Sequence, residues 1–264
     1  MRKLAVLNQK GGVGKTTTAA TLATIWAREG RRVLAVDMDP QGNLGLMLGV
    51  LYDPERPTVY EALTSTPAHV GIREAVMPTK DGVDLVPATT QLDRLQLENS
   101  ADAVFRLREA LDELDGDYDI CVIDCPPTTQ SIFARQALMA ADQVLVPTNA
   151  ELCSVAGLAQ LFASVGEMSG RYMNPGLEVA GIVVTRLNRN SRAEVDMVEQ
   201  IKSAASDLGT EVFSAQINFS DPITSARNRM TTVASADADP RWADALGTKA
   251  YVQLAHEVAE RLVA

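Results

Sequence analysis

A glycine-rich segment near the start of the chain has residue types that bind phosphate. Residues 8–18 read NQKGGVGKTTT and follow an apolar run at 4–7. Backbone N–H groups of such a turn, and of the helix it opens, converge on one point and favour an anion there. Lys15 can reach the β- and γ-phosphates of a nucleotide, and the Thr16 hydroxyl can hold Mg²⁺. The segment therefore predicts a nucleoside triphosphate site.

This loop departs from the standard pattern G-x-x-x-x-G-K-[ST] at one position. Gln9 stands where the first glycine of the pattern belongs, and the extra lysine Lys10 follows it. The alternative is that glycines and lysines coincide by chance in a surface loop. The position of the loop, between an apolar strand and a predicted helix, favours the phosphate site.

Two carboxylates follow the second apolar run. Residues 36–43 read VDMDPQGN, so that Asp37 and Asp39 leave the carboxyl end of a predicted strand. Asp39 is placed to face a γ-phosphate and to orient an attacking water or accept its proton. The alternative is that both acids only start a turn, because Asp-Pro and Gln-Gly are turn formers.

A third acid ends a later apolar strand. Residues 118–127 read YDICVIDCPP, and Asp124 closes the run of four apolar residues. Phosphate-loop NTPases place a carboxylate near Mg²⁺ in this way. Because Mg²⁺ keeps several of its waters, we expect Asp124 to act through a metal-bound water. Asp119 is expected at the surface, and Cys125 is expected to be a buried thiol without redox chemistry.

Composition narrows the possible classes of protein. The chain has 264 residues and a net charge of −10, which argues against a generally basic nucleic-acid binder. No apolar run approaches the roughly 20 residues that span a bilayer. The number of cysteines is odd, and their spacing is not that of a metal site; they are Cys121, Cys125 and Cys153. This suggests reduced thiols in the cytoplasm.

Strands and helices that could position these residues alternate along the chain. The predicted strands are 3–8, 32–37, 83–87, 119–124, 143–147, 179–185 and 211–217. The predicted helices are 15–29, 101–114, 129–140, 154–168, 192–208 and 242–263. This alternation predicts one α/β domain over 1–264, with a doubly wound, mostly parallel sheet covered by helices on both faces. Ligands of such sheets bind beyond the carboxyl ends of the strands, where the acidic loops lie.

With these segments, the chain resembles the ParA-type branch of the deviant Walker A ATPases, which also contains MinD. The resemblance covers nearly the whole chain and rests on KGGVGKTT at 10–17, DMDPQGN at 37–43 and VIDCPP at 122–127. Weaker similarities are Val146-Pro147, Glu151, Gly157-Leu158 and Ala250-Tyr251.

The resemblance implies a magnesium-dependent ATPase that forms a homodimer in its ATP state. Lys10 of each subunit would cross to the phosphates bound by the other. The residues implied to contact ATP are Lys10, Gly11, Gly12, Val13, Gly14, Lys15, Thr16 and Thr17. Asn188 would lie near the adenine, although an ordinary turn residue after a strand is an equal alternative.

ParA-type proteins also bind DNA non-specifically as the ATP dimer, and a ParB-like or adaptor protein stimulates hydrolysis. Residues 186–229 hold equal numbers of basic and acidic residues, whereas the whole chain is acidic. The candidate DNA contacts are Arg189, Arg192, Arg227 and Arg229. Residues 218–222 read NFSDP and lack the arginine that many relatives carry there. The alternative to DNA binding is that the four candidate arginines form a solvated surface with local salt bridges. With DNA binding, the protein would lie in the cytoplasm on the nucleoid, where it would segregate plasmid or chromosomal DNA.

Three other functions compete with DNA partition. A ParA-like ATPase that positions a protein compartment or receptor cluster would have the same motifs. A MinD-like protein would need a basic amphipathic helix to bind a membrane, but the predicted helix 242–263 ends with acids among its last residues. A reductase like the nitrogenase iron protein would need cluster-bridging cysteines after its strands. No helix-turn-helix extension is expected before the first strand.

Overall fold

Seven strands form one sheet in the computed structural model, which describes residues 1–64, 66–98, 100, 102–151, 154–170 and 173–263. The strands are β1 (Arg2–Val6), β2 (Val33–Asp37), β3 (Met77–Pro78), β4 (Val83–Val86), β5 (Ile120–Asp124), β6 (Gln143–Asn149) and β7 (Glu178–Thr185). Their order across the sheet is β3-β4-β2-β5-β1-β6-β7. All neighbours are parallel except β3, which pairs antiparallel with β4 at the edge.

Helices surround this sheet. They are α1 (Lys15–Arg28), α2 (Asn43–Met47), α3 (Val59–Leu63), α4 (Ile72–Ala75), α5 (Arg106–Asp112), α6 (Ile132–Ala140), α7 (Ser154–Gly170), α8 (Arg192–Asp207), α9 (Asp221–Asn228) and α10 (Leu246–Val263). Short 3₁₀ turns lie at Thr90–Leu97, Ala103–Phe105 and Pro240–Trp242. Among the described residues, none of the helices is both long and apolar enough to cross a membrane.

The apolar strands divide the core into two clusters. Along β1, Leu4 and Val6 pack in the cluster that holds α1 and α10, whereas Ala5 packs in the cluster that holds α6 and α7. This alternation follows from the two-residue period of a strand. Every residue of β2 and β5 is buried, as expected for strands that are covered on both faces. The predicted doubly wound sheet is confirmed.

One predicted strand, 211–217, is wrong. The segment runs beside β7 but forms only isolated bridges, Val212 with Ile182 and Asn218 with Leu187. Between these bridges the backbone N–H of Ser214 donates to the Glu257 carboxylate of α10 at 2.9 Å. The Ala215 N–H also donates to Glu257, at 3.4 Å. The Phe213 N–H donates to the Ile182 carbonyl oxygen, but Ile217 rather than Ala215 donates to that of Val184, so the segment loses its register with β7.

The predicted helices exist, but several begin later than expected. Helix α6 starts at Ile132 because the Ser131 hydroxyl accepts a hydrogen bond from the Ala134 N–H and caps the helix. Helix α10 starts at Leu246 after a 3₁₀ turn. Four short helices (α2, α3, α4 and α9) and the two-residue β3 were not predicted, since elements this short show little periodicity.

The register of the central strands brings three chain segments to one edge. Val6 and Asp37 both lie opposite Asp124, on the two sides of β5. All three end their strands, so the glycine-rich loop and both acidic loops leave the sheet side by side. The carboxyl edge is therefore where chemistry is expected.

Candidate functional site

The glycine-rich loop wraps the start of α1. Gly12 and Gly14 have φ angles of 76° and 82°, a region that side chains other than glycine rarely adopt. Gly14 is the N-cap of α1, and within the described residues no side chain caps this helix. A Cβ at Gly11 would meet no protein atom within 4 Å. The protein itself thus leaves room at Gly11, and the free N–H groups of the first turn can receive an anion.

Lys15 is buried beneath this loop. Its side chain is 7% exposed, and Nζ donates to the carbonyl oxygen of Lys10 at 3.1 Å. Burial lowers the pKa of Lys15, while the nearby carboxylates of Asp124 and Asp39 oppose that shift. A partly desolvated cation held by its own loop is suited to a phosphate.

Asp124 is fully buried beside Lys15. Within the described part of the chain, neither of its carboxylate oxygens has a hydrogen-bond partner. Burial raises its pKa to about 7, and the Thr16 hydroxyl and Lys15 act in the opposite direction. An acid buried without partners is costly in its ionised form. The donor set therefore fits a magnesium ion that is held by the Thr16 hydroxyl and, through water, by Asp124.

The two acids after β2 have different surroundings. The Asp37 carboxylate accepts hydrogen bonds from the backbone N–H groups of Asp39 and Leu44, each at 3.0 Å. Its burial raises its pKa well above the usual range. Asp39 is half-buried and accepts from the Gln41 N–H at 3.0 Å. Asp37 thus orders the turn, whereas Asp39 also lines the cavity in front of Lys15.

That cavity, which we call the first cavity, has a volume of about 750 Å³. One end is the glycine-rich loop with Lys15, Thr16 and Asp39. The other end is an apolar wall from the segment around α9, formed by Phe219, Ile223 and Met230. A charged end that continues into an apolar end suits a triphosphate joined to a flat base.

A second cavity of about 1010 Å³ lies on the other side of the loop. Lys10 lines it and is absent from the lining of the first cavity. The Lys10 ammonium donates to the Asn149 side-chain oxygen at 3.0 Å and forms an ion pair with Glu151. Lys10 and Lys15 therefore face different spaces, and Lys10 is directed away from the phosphate end of its own subunit.

Asn188 lies in the second cavity rather than the first. Its side-chain oxygen accepts a hydrogen bond from the Asn190 N–H at 3.1 Å, and its own N–H donates to Glu194. This is the geometry of a turn residue that precedes a helix. The apolar wall of the first cavity contains Phe219, which also lines the second cavity.

The four arginines proposed to contact DNA are all exposed. Arg189 borders the second cavity and donates to Asn218, and Arg192 begins α8. Arg227 lines the first cavity, while the Arg229 guanidinium lies 5.4 Å from the centre of the Trp242 ring. Asp119 is exposed and paired with Arg32, whereas Cys121 and Cys125 are buried. Cys153 lies outside the described residues.

Sequence reasoning missed two contacts at the end of β7. The Thr185 hydroxyl donates to the carbonyl oxygen of Val13 at 2.8 Å, and the Arg186 guanidinium donates to that of Gly12 at 3.1 Å. Arg186 has a φ of 54°, which is unusual for a side chain of this size. The polar pair Thr185-Arg186, directly after an apolar strand, was the available signal.

Comparison with known proteins supports an ATPase fold. The profile of the family described as "AAA domain" matches residues 1–179. The chromosome partitioning protein ParA of Caulobacter vibrioides is 36% identical over 265 residues, covering 99% of this chain and 95% of its own.

Two solved structures are also similar. Cobyrinic acid a,c-diamide synthase from Mycobacterium smegmatis, with bound ADP and magnesium, has a TM-score of 0.81 and 30% identity over 97% of this chain and 93% of its own. The ATP complex of a McdA variant from Cyanothece has a TM-score of 0.84 and 25% identity over 100% of this chain and 96% of its own. With the loop, the acids and the full-length similarity together, this chain belongs to the ParA family of ATPases.

Proposed function

We propose that the protein binds ATP with Mg²⁺ in the first cavity and hydrolyses it to ADP and phosphate. The observation that carries this proposal is the buried, unpartnered carboxylate of Asp124 next to Lys15 and Thr16. Lys15 is the cation next to this acid, and a phosphate bound by Lys15 would compete for that charge, whereas a magnesium ion bound with the phosphate would supply a second positive charge. The similar structure with bound ADP and magnesium supports the same assignment.

Each residue of the site has a distinct role in this proposal. The N–H groups of residues 11–17 and the Lys15 ammonium bind the β- and γ-phosphates. Thr16 and, through water, Asp124 would hold a magnesium ion, which would supply positive charge where the leaving oxygens develop negative charge. Asp39 orients the attacking water and accepts its proton. The apolar wall, with Phe219 at its centre, holds the base.

The second part of the proposal is an ATP-dependent homodimer. Lys10 faces the second cavity, 3.0 Å from Asn149, so it is placed to act outside its own phosphate site. A second copy of the chain that covers this cavity would receive Lys10 at its phosphates. Such a cation, supplied by the other subunit, stabilises charge in the transition state.

Size analysis with ADP, with ATP and with a non-hydrolysable ATP analogue tests the dimer. The wild type should shift from monomer to dimer only with ATP or the analogue. Lys10→Ala should still bind ATP but lose the dimer or the hydrolysis. An oligomer that forms without nucleotide, and that Lys10→Ala leaves unchanged, would overturn the proposal.

The finer part of the proposal concerns the cargo. We infer that the ATP dimer binds duplex DNA non-specifically through Arg189, Arg192, Arg227 and Arg229, and that a ParB-like or adaptor protein stimulates hydrolysis and release. Phosphate contacts need only a local basic patch, and two subunits double it. The relative from Caulobacter vibrioides, a chromosome partitioning protein, supports this choice.

Filter binding of duplex DNA across a salt series tests the DNA part separately. With ATP, retention should fall steeply as salt rises, since each phosphate contact releases counterions. Replacing any one of the four arginines by Gln should lower retention. Lys202→Gln, on the exposed face of α8, is the control, because it also removes one positive charge. An intact ATP dimer that retains no DNA would exclude a DNA cargo and favour a protein cargo.

A further inference from the structure

Gln9, the residue that breaks the standard phosphate-loop pattern, makes a specific contact. Its side-chain Nε2 donates to the Thr129 hydroxyl at 3.0 Å. Thr129 lies in the loop 125–131, which connects Asp124 at the end of β5 to the Ser131 cap of α6. A glycine at position 9 could not reach this hydroxyl.

The Thr129 hydroxyl is a junction between three segments of the chain. The Thr129 residue is 7% exposed, and its hydrogen bond with Gln9 is partly buried. The Ser164 hydroxyl, from the middle of α7, lies 3.2 Å from the same oxygen. One hydroxyl therefore links the phosphate loop, the loop after Asp124 and α7.

The residues on either side of Gln9 are anchored to other segments. The Asn8 amide donates to the carbonyl oxygen of Pro147 at 2.7 Å, and its side-chain oxygen accepts the Lys10 N–H at 3.0 Å. The Lys10 ammonium contacts Asn149. Consecutive side chains at 8, 9 and 10 thus bind β6, the loop 125–131 and the last residue of β6. Gln9 is the single link in this triplet between the phosphate loop and the loop behind Asp124.

We propose that Gln9 and Thr129 are positioning residues for ATP hydrolysis. Their hydrogen bond fixes the position of the loop 125–131 relative to the backbone that directs Lys10. It thereby also fixes Asp124, which precedes the loop, and Pro127, which lines the first cavity. Neither side chain lines the first cavity, so the bond acts on the placement of other groups rather than on ATP itself. A misplacement of reacting groups lowers turnover more than binding. The inference rests on the proposed ATPase function of this site.

The test compares Gln9→Gly, Thr129→Val and the double variant with the wild type. Gln9→Gly restores the standard pattern, so a view based on the pattern alone expects full activity. We expect each single variant to lower kcat by about threefold to tenfold, the range that one neutral hydrogen bond supports. The Kd for ATP should stay within about twofold. The double variant should lose no more than the larger single loss, because both changes remove the same bond.

Two further variants separate positioning from general damage. Thr129→Ser keeps the hydroxyl and should restore most of the rate. Thr128→Val is the matched control, because the Thr128 hydroxyl accepts only a local bond from the Gln130 N–H at 3.2 Å. Its rate should stay near that of the wild type.

A readout without nucleotide completes the design. Hydrogen exchange of the peptide 128–135 should accelerate in Gln9→Gly and Thr129→Val, and not in Thr129→Ser, at an unchanged melting temperature. Wild-type kcat and wild-type exchange in Gln9→Gly would overturn the inference and leave the ATPase proposal intact. Independent losses that multiply in the double variant would also overturn it. A wild type that does not hydrolyse ATP would overturn both.

Discussion

At the scale of single residues, the site holds charges that burial disfavours. Lys15 is buried with a lowered pKa, and Asp37 and Asp124 are buried with raised pKa values. In each case burial is the main cause of the shift. Opposite charges nearby reduce the shifts of Lys15 and Asp124, whereas the pKa of Asp37 is raised further by the Asp124 carboxylate and lowered only by backbone hydrogen bonds. A bound phosphate and its metal would compensate these charges, so the free site is tuned to its ligand.

The first prediction concerns Lys15. Lys15→Gln should weaken ATP binding by about a hundredfold or more, because charge-assisted hydrogen bonds to phosphate are lost from a desolvated site. Isothermal titration calorimetry with Mg·ATP measures the effect. Lys202→Gln is the control, since Lys202 is exposed and pairs with Glu199 on the surface of α8. Equal losses in both variants would count against the assigned role of Lys15.

The second prediction concerns the pH dependence of stability without magnesium. The pKa of Asp124 is about 7 in the folded protein, against an ordinary value of 3.8 for an exposed acid, so the folded state binds more protons between these values. The contribution of Asp124 to the free energy of unfolding therefore falls as pH rises from about 4 to about 7. Asp124→Asn should be more stable than the wild type at pH 8, and this advantage should shrink towards pH 5.

Urea unfolding of both proteins in EDTA, across this pH range, measures the advantage. The difference between the two curves of unfolding free energy against pH cancels the contribution of the other titrating acids, which both proteins share. A difference that does not change with pH would show that burial does not control this carboxylate.

At the scale of elements, α1 carries the phosphate loop and is held from behind by α10. The Trp26 indole N–H donates to the carbonyl oxygen of Ala255 at 3.1 Å, and the hydroxyls of Thr18 and Tyr251 are 3.3 Å apart. Trp26 and Tyr251 are among the largest fully buried side chains described. The last helix therefore supports the nucleotide site although it lies farthest from it in sequence.

The third prediction tests this support. Trp26→Phe should lower the free energy of unfolding by about 1–3 kcal/mol, because it opens a small cavity and removes the indole hydrogen bond to the Ala255 carbonyl oxygen. Urea unfolding measures the change. Val252→Ala, on the exposed face of α10, should cost no more than about 0.5 kcal/mol. Similar costs at both positions would mean that the contact between α1 and α10 adds little.

Strand prediction succeeded where burial on both faces made a continuous apolar run, as in β2 and β5. It failed at 211–217, whose apolar pattern is that of a strand. There the Glu257 carboxylate binds the backbone of Ser214, and no local pattern could reveal an acceptor 43 residues away. Helix α9 was missed for the opposite reason, since its eight residues bury only Ala226.

At the scale of the whole molecule, the two lysines of the loop face different cavities. Lys15 serves the first cavity, and Lys10 lines the second with Asn149 and Glu151. The fourth prediction concerns Asp39, which lines the first cavity together with Lys15.

Asp39→Ala should accumulate as an ATP-bound dimer, because it keeps the phosphate contacts and Lys10 but lacks the group that orients water. Light scattering after gel filtration in Mg·ATP should give a dimer that persists for hours, whereas wild-type dimers decay as ATP is consumed. Asp53→Ala is a control on an exposed acid of the neighbouring surface. If the variant binds ATP but stays monomeric, Asp39 is also needed for dimerisation, and the prediction that it acts only in hydrolysis is wrong.

The sequence by itself determined the fold class, the phosphate loop and the acids around it, because these depend on local patterns: glycines at turns, apolar strands and acids at strand ends. Only the tertiary structure decided which groups surround Lys10, Gln9 and Asn188. Their partners, Asn149, Thr129 and the second cavity, come from segments far apart in the chain. Parallel strands bring such segments together at one edge of the sheet, and single-sequence patterns carry no record of those contacts.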